Sequence, residues 1–491
     1  MREKVYDMKS RFLKIVGTIT IINIVARLFG FAREIIIGYQ YGTSFQADSI
    51  ISAFTIPNFL FIVLGGAVTT AFISVYSKLG NRRQNDFAQT IFTGLFLIIG
   101  LITLLFMVFP KFWIGLVFSG MSEQTLALTS DLFVWTAPAT LFLVLSMGLS
   151  GLHNVHENYN VSAFSQFIFN GIYLVIGVGL TPILFEYSYA LGATTGSVLM
   201  FGLLIYFVRK QQLIHLRFKL VPLPEVKRFF KMVIPLLFGG ATIQFYFIIQ
   251  RIYASQLTEG AIASMNYASK MTQFPQAVLM TSVTTIIYPM LTKAAGDNDW
   301  PKLSKAYQQG FRMLTIILVP ASVFIFIYAQ EIITFIFQYG NFSVESTNAT
   351  YPLLQIFSVS IFSLALNMYI TRFFYALEDT LLPTILNVLS VFVINIAVIS
   401  MFIDVWGNKA IALGTVVSAL VNMLLLIFFA KKKLDLNVSD WRFIFKVTVF
   451  SLIVLICVWL LSFISLGVFF SLLVGGLVTV GFILAGLRVL N

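Results

Sequence analysis

The chain has 491 residues, 58% of them hydrophobic and 11% charged, with a mean hydropathy of +0.91. A soluble globular protein carries about 45–50% apolar and about 25% charged residues, so this composition excludes a soluble enzyme, a disordered chain and a disulfide scaffold. The net charge of +12 comes from 32 Lys+Arg against 20 Asp+Glu, an excess that in a membrane chain marks cytoplasmic loops rather than nucleic-acid binding.

A membrane-spanning helix takes about 20 apolar residues. Fourteen apolar segments follow one another, at 15–38, 50–76, 88–109, 131–152, 160–184, 187–207, 230–254, 263–291, 311–330, 351–375, 383–403, 409–430, 443–463 and 466–488. Helices satisfy their own backbone hydrogen bonds, which lipid cannot do for them. The apolar–polar alternation of a β-barrel does not occur. The expected fold class is therefore all-α, a polytopic membrane protein with about fourteen transmembrane helices.

Placing the N-terminus in the cytoplasm puts 26 of the 32 cations on the inner side, in the N-terminal stretch, the loop around Arg82 and Arg83, the long basic stretch from Arg209 to Lys231, and the run Lys431–Lys433. Lys111, Arg251 and Lys409 fall on or near the outer side. This is the bias expected of a protein with both termini in the cytoplasm. The first apolar segment is interrupted by Arg27 and lacks a small-residue cleavage site, so it reads as a span rather than a signal peptide. Cys457 is the only cysteine, so neither an intrachain disulfide nor a cysteine-based metal site is expected.

Two halves of the chain resemble each other. Phe72 to Lys78 precedes Asn85-Asp86 much as Ile287 to Lys293 precedes Asp297 to Asp299. Ser146-Met147 through Glu157-Asn158 likewise matches Asn367-Met368 through Glu378-Asp379. Pro57 and Pro275 correspond within spans two and eight. Six helices per repeat make the halves parallel repeats, with an N-lobe at 1–212, a C-lobe at 213–433 after the basic linker, and a two-helix appendix at 434–491. Gly65-Gly66, Pro57, Pro235, Pro275 and Pro383 read mainly as ordinary packing and bend points of membrane helices.

No phosphate-binding loop ending in Lys-Ser/Thr and no His-Glu-x-x-His is present. His153 and His156, beside Glu157, read as a cytoplasmic surface loop without a third metal ligand. No catalytic residue, metal site or cofactor is expected, and a transporter is favoured over an enzyme.

The chemistry lies in charges within the spans. Arg27 sits about 18 Å from either end of its span at 1.5 Å per residue, too deep to snorkel, and must face protein or water. Glu34, seven residues on, shares its helix face and offers an ion pair. Arg33 lies nearer the outer surface, Asp48 begins span two, and Lys270 lies early in span eight. Three cations and two acids drawn from both lobes suit an anion, and an arginine fork matches phosphate oxygens. If the lobes face each other, Arg27 and Arg33 look across a cleft toward Lys270.

These residues resemble the MurJ (MviN) family of lipid II flippases, within the multidrug/oligosaccharidyl-lipid/polysaccharide exporter superfamily. Ala26-Arg27-Leu28-Phe29-Gly30-Phe31-Ala32-Arg33-Glu34 is similar to the family's Ser-Arg-x-x-Gly-Phe-x-Arg-Asp. Asp48, Pro57-Asn58, Tyr267 through Pro275 and Phe337-Gln338-Tyr339-Gly340 match further motifs. The resemblance implies two lobes in a V around a cationic cavity, a groove for a lipid tail bordered by the last two helices, and residence in the bacterial cell membrane. It also implies transfer of the undecaprenyl-pyrophosphate-linked peptidoglycan precursor from the inner to the outer leaflet by alternating access, with cell-wall synthesis enzymes as candidate partners. On that basis Arg27, Arg33 and Lys270 contact the pyrophosphate, and Glu34 and Asp48 belong to the cavity or gate. The chain departs from the family at Phe61-Ile62, where an arginine pair is common, at Gly65-Gly66, where Glu-Gly is common, and at Lys270, where arginine is usual. A flippase for another lipid-linked oligosaccharide, of exopolysaccharide or teichoic type, is the alternative. A cation-coupled multidrug exporter and a membrane scaffold for wall enzymes stand further off.

Overall fold

The computed structural model describes residues 2–489 apart from 216, 241, 274–290, 292–293, 295–296, 298, 437–440 and 465–466. Every regular element among the described residues is helical. Eleven helices there are long and apolar enough to cross a membrane. They coincide with expected spans two to six and nine to fourteen. Of the other three, the first is covered by one continuous helix, α1 (Arg2–Tyr41). The seventh is covered by α11 (Pro224–Gly240) and α12 (Thr242–Ala254), on either side of residue 241, which lies outside the described residues. The eighth is described only over helix α13, residues 261–273. Pro275, Ile287 and Lys293, used above to align the halves, lie outside the described residues.

The chain forms two compact units, residues 1–37 with 44–256, and residues 38–43 with 257–491. The seventh span thus groups with the first unit.

In the first unit, α2 (Phe45–Ala53) and α3 (Thr55–Tyr76) are one span broken at Phe54. Pro57 supplies the cause, because it has no N–H to give and its ring crowds the carbonyl four residues back, at Ala53. α3 packs on α7 (Pro138–Val155), where a Cβ on Gly65 would come within 2.7 Å of Met147. Thr69 Oγ1 also donates to the Met147 carbonyl at 2.8 Å. α10 (Tyr187–Lys210) lies on α8 (Tyr159–Gly179) through Gly192 and Gly196, four residues apart. An added Cβ there would meet the Tyr173 and Phe169 carbonyls, each at 2.8 Å. Small residues at this spacing let membrane helices approach closely. The remaining helices of this unit are α4 (Asn81–Val108), α5 (Pro110–Val117), α6 (Glu123–Thr136) and the single turn α9 (Thr181–Leu184).

The second unit is centred on α16 (Val344–Ala376). Its Leu366, Ile370, Phe373 and Phe374 are buried against Tyr307, Leu314 and Leu318 of α14 (Trp300–Ile327) and Leu426 and Ala430 of α19 (Asn408–Leu434). α17 (Leu381–Val388) passes through a π-helical stretch, Leu389–Asn395, into α18 (Ile396–Trp406). The two C-terminal helices, α20 (Trp441–Ser462) and α21 (Val468–Val489), pack on α14 around Ile316, where Gly486 leaves 2.8 Å for a Cβ. α15 (Ala329–Phe337) precedes a loop that binds the segment 38–43. Asn341 N donates to the Tyr39 carbonyl at 2.8 Å, and Tyr267 Oη of α13 donates to the Gly42 carbonyl at 3.0 Å.

Candidate functional site

The break at Phe54 organises a cluster of buried charge in the first unit. Arg33, on α1, holds its guanidinium 4.2 Å from the centre of the Tyr173 ring and 5.9 Å from that of Phe54. The two rings meet edge to face, with centroids 5.2 Å apart. A cation over such rings gains from their negative faces, most where water is excluded. Arg33 Nη2 donates to Glu34 Oε1 at 2.9 Å, and the two side chains are 12% and 6% exposed.

A second guanidinium completes the group. Arg251, in the last turn of α12, donates from Nη1 to Thr55 Oγ1 at 2.7 Å. The Thr55 hydroxyl in turn donates to the Ile51 carbonyl at 2.8 Å, across the break between α2 and α3. Arg251 lies close enough to Glu34, Arg33 and Tyr173 for their charges and dipoles to act on it. Two guanidiniums, one paired with a carboxylate and one bonded to a hydroxyl, thus lie at this break, in a place where charge is costly unless paired and hydrogen-bonded. Such an arrangement can accept the oxygens of an anion.

The five residues singled out from the sequence have different settings. Arg33 and Glu34 are together. Glu34 shares a helix face with Arg27, yet its carboxylate turns to Arg33, the nearer cation by six residues along α1. Arg27 is exposed, about 240° around the helix from Arg33 at 3.6 residues per turn. Asp48 is buried in the first turn of α2, behind the N-cap Ser44, where the helix dipole favours a carboxylate. Lys270 is half-buried on α13 in the second unit, among the buried polar side chains Asn266, Ser269 and Thr272. Of the departures from the family pattern, Phe61 places its ring 6.2 Å from that of Phe169, on the same aromatic face of α8 as Tyr173.

Sequence reasoning placed Arg251 among outer-surface cations and so missed its part in the cluster. The available signal was an arginine preceded by nineteen residues without another charge, 232–250. His153 corrects the expectation of a surface loop. It is fully buried in the last turn of α7, with Nε2–H donating to the Leu204 carbonyl at 3.1 Å, because α10 crosses that end of α7. His156 ends the helix, with Nε2 3.3 Å from Tyr76 Oη. Among the described residues no group of three His, Cys, Asp or Glu is placed to hold a metal ion.

With this geometry established, the comparisons are specific. The family model for the lipid II flippase MurJ matches residues 37–478. The lipid II flippase MurJ of Burkholderia cenocepacia is 25% identical over 432 residues, spanning 85% of this chain and 83% of that protein. A probable lipid II flippase MurJ of Rickettsia prowazekii is 27% identical over 90% of this chain and 87% of its own length. A solved structure of lipid II flippase MurJ in an inward closed conformation superposes with a TM-score of 0.84 at 23% identity, covering 95% of this chain and 97% of that one. An inward-facing multidrug resistance MATE transporter of the MOP superfamily gives 0.72 at 14% identity, over 85% and 98%. The likeness in fold thus reaches beyond close relatives, while the match along the sequence singles out one family. The chain belongs to the lipid II flippase MurJ family.

Proposed function

We infer that the protein is a transporter, not an enzyme, and that it carries lipid II, the undecaprenyl-pyrophosphate-linked peptidoglycan precursor, from the inner to the outer leaflet of a bacterial inner membrane. The family match over residues 37–478 carries this reading. The guanidiniums of Arg33 and Arg251 at the break of the second span support it chemically, since a diphosphate crossing hydrocarbon needs positive, hydrogen-bond-donating groups. A drug exporter for organic cations would call for an acidic site instead.

In this account the lobes at 1–212 and 213–433 alternate in access, and the diphosphate docks on Arg27, Arg33 and Lys270. Glu34 and Asp48 set the charge of the cavity or its gate, and the prenyl tail stays in lipid near the appendix at 434–491. Arg251 holds Thr55, next to the Phe54 ring that faces Arg33. Both termini face the cytoplasm, as the loop charges favour, and cell-wall synthesis enzymes that consume the product outside are the natural partners. The chain carries no phosphate-binding loop of the Gly-x-x-x-x-Gly-Lys-Ser/Thr type, so ion gradients or consumption of the cargo supply the drive.

The test is rescue of a bacterium depleted of its own lipid II flippase. The wild-type chain restores growth and wall synthesis, whereas an inserted, stable Arg33→Gln chain does not. Failure of the wild type, with export of a different lipid-linked sugar in its place, would move the assignment to that cargo.

A further inference from the structure

Between α10 and α11, residues 211–215 and 217–223 have little regular structure of their own, yet they are held along one helix. α4 presents Asn85, Asp86, Gln89, Thr90 and Thr93, a polar stripe at helical spacing on a helix otherwise apolar enough to span. The linker backbone occupies this stripe. His215 N donates to Asn85 Oδ1 at 2.9 Å, and Gln89 Nε2 donates to the His215 carbonyl at 2.5 Å. Lys219 N and Val221 N donate to Thr93 Oγ1 and Thr90 Oγ1, each at 3.1 Å. Ion pairs add to these bonds, Lys219 Nζ to Asp86 Oδ1 at 2.7 Å and Arg83 Nη1 to Glu225 Oε1 at 3.1 Å.

The order of these contacts traces a path. The segment runs down α4 from Asn85 to Thr93, about 12 Å along the axis, then turns and climbs back past Thr90 toward Arg83. At the turn, Phe218 and Leu220 are 78% and 61% exposed. The Phe218 ring stands 5.4 Å from that of Phe96, one turn deeper than Thr93, where α4 shows the exposed apolar surface of Leu97, Ile98 and Leu101. A loop in water has its N–H groups solvated and gains nothing by presenting two large apolar side chains. A loop in lipid must have its donors bonded within the protein, and here α4 side chains bond the backbone N–H groups of His215, Lys219 and Val221.

We propose that residues 211–215 and 217–223 form a strap lying in the membrane leaflet on the side of the basic loops. Phe218 and Leu220 sit among the acyl chains, and Arg209, Lys210 and Arg217 lie at the level of the phosphates. The polar stripe on α4 exists to satisfy the strap's backbone. The occupant of this surface is the lipid leaflet itself. The end of α10 agrees, with an open cleft of about 410 Å³ lined by Gly202, Ile205, Tyr206, Arg209 and Lys210, two cations over apolar walls.

The test uses the full chain with Cys457→Ser and a spin label on Phe218→Cys, reconstituted in phosphatidylcholine vesicles with a minor share of phosphatidylglycerol. Collisions with dissolved oxygen should exceed those with a water-soluble nickel chelate severalfold. A label on Leu220→Cys gives the same reading should the first variant not insert. Adding Asn85→Leu and Thr93→Val, which removes two of the backbone's acceptors, should shift the label toward nickel. Greater nickel access in the parent chain, or a depth indifferent to the loss of the stripe, overturns the proposal. Neither outcome bears on which lipid is flipped.

Discussion

Arg251 and Thr55, 196 residues apart in sequence, are joined by a 2.7 Å hydrogen bond from guanidinium to hydroxyl. The bond lands on the residue that follows the break in the second span, a break caused by Pro57. α12 is therefore tied to the same turn that presents Phe54 to Arg33. In this arrangement the charge cluster and the kink are one structural unit, and disturbing either disturbs both.

Arg251→Gln should lower the rate of lipid II flipping in reconstituted vesicles by about tenfold or more, because its bond to Thr55 is one from a charged group, which contributes about 1.5–3 kcal/mol. Arg251→Lys keeps the charge but not the fork and should fall between the two. Flipping at the wild-type rate in Arg251→Gln would remove this residue from the site.

At Arg33 the ring beneath the guanidinium should matter as much as the charge. Tyr173→Phe keeps the ring face and should transport nearly as wild type. Tyr173→Leu removes a cation–π contact of about 0.5–2 kcal/mol and should weaken lipid II binding by about twofold to thirtyfold. Binding titrations of the two variants in detergent, side by side, check the contrast.

The helix that carries Tyr173 is seated on Gly192 and Gly196. Gly192→Ala would push a methyl group against the Tyr173 carbonyl, contact being 2.8 Å at the ideal Cβ position. Overpacking of this kind costs about 1–3 kcal/mol, so the thermal transition should fall and binding should weaken with it. Alanine at Gly66, where a Cβ meets nothing within 4 Å, is the control and should leave both unchanged.

His156 gives the first unit a pH dependence outside the spans. Desolvation by neighbouring groups lowers its pKa below the ordinary histidine value, so the fold favours the neutral ring. The resulting stability is fully present above about pH 6.5, the unfolded value, and is lost as pH falls through the lowered folded value. Thermal unfolding in detergent between neutral and mildly acid pH should show this loss, and His156→Gln should flatten it.

The sequence made the spans legible because lipid imposes one requirement, a long apolar helix, on each of them. It made Arg33 legible because a charge in such a segment needs a reason. It did not reveal that Glu34 serves Arg33 rather than Arg27, since a shared helix face is a weaker constraint than adjacency to the ring pocket formed by Phe54 and Tyr173. Arg251 was hidden because its partners lie nearly two hundred residues away on other helices. The polar stripe of α4 stayed hidden because Asn85-Asp86 falls before the apolar segment at 88–109, and the strap that fills the stripe is recognised only by its backbone bonds. His153 looked like a loop residue because nothing local announces that α10 crosses over it.

The central claim is that arginines within the spans receive the diphosphate of the cargo. Its most direct measurement is the affinity of purified lipid II for the wild-type protein and for Arg33→Gln, with the same lipid bearing a monophosphate as comparison. The account gives a loss of about tenfold or more in the variant, as expected for a charge-assisted hydrogen bond, and a smaller preference for diphosphate over monophosphate. Equal affinity of the two proteins, with the variant folded and inserted, would contradict it.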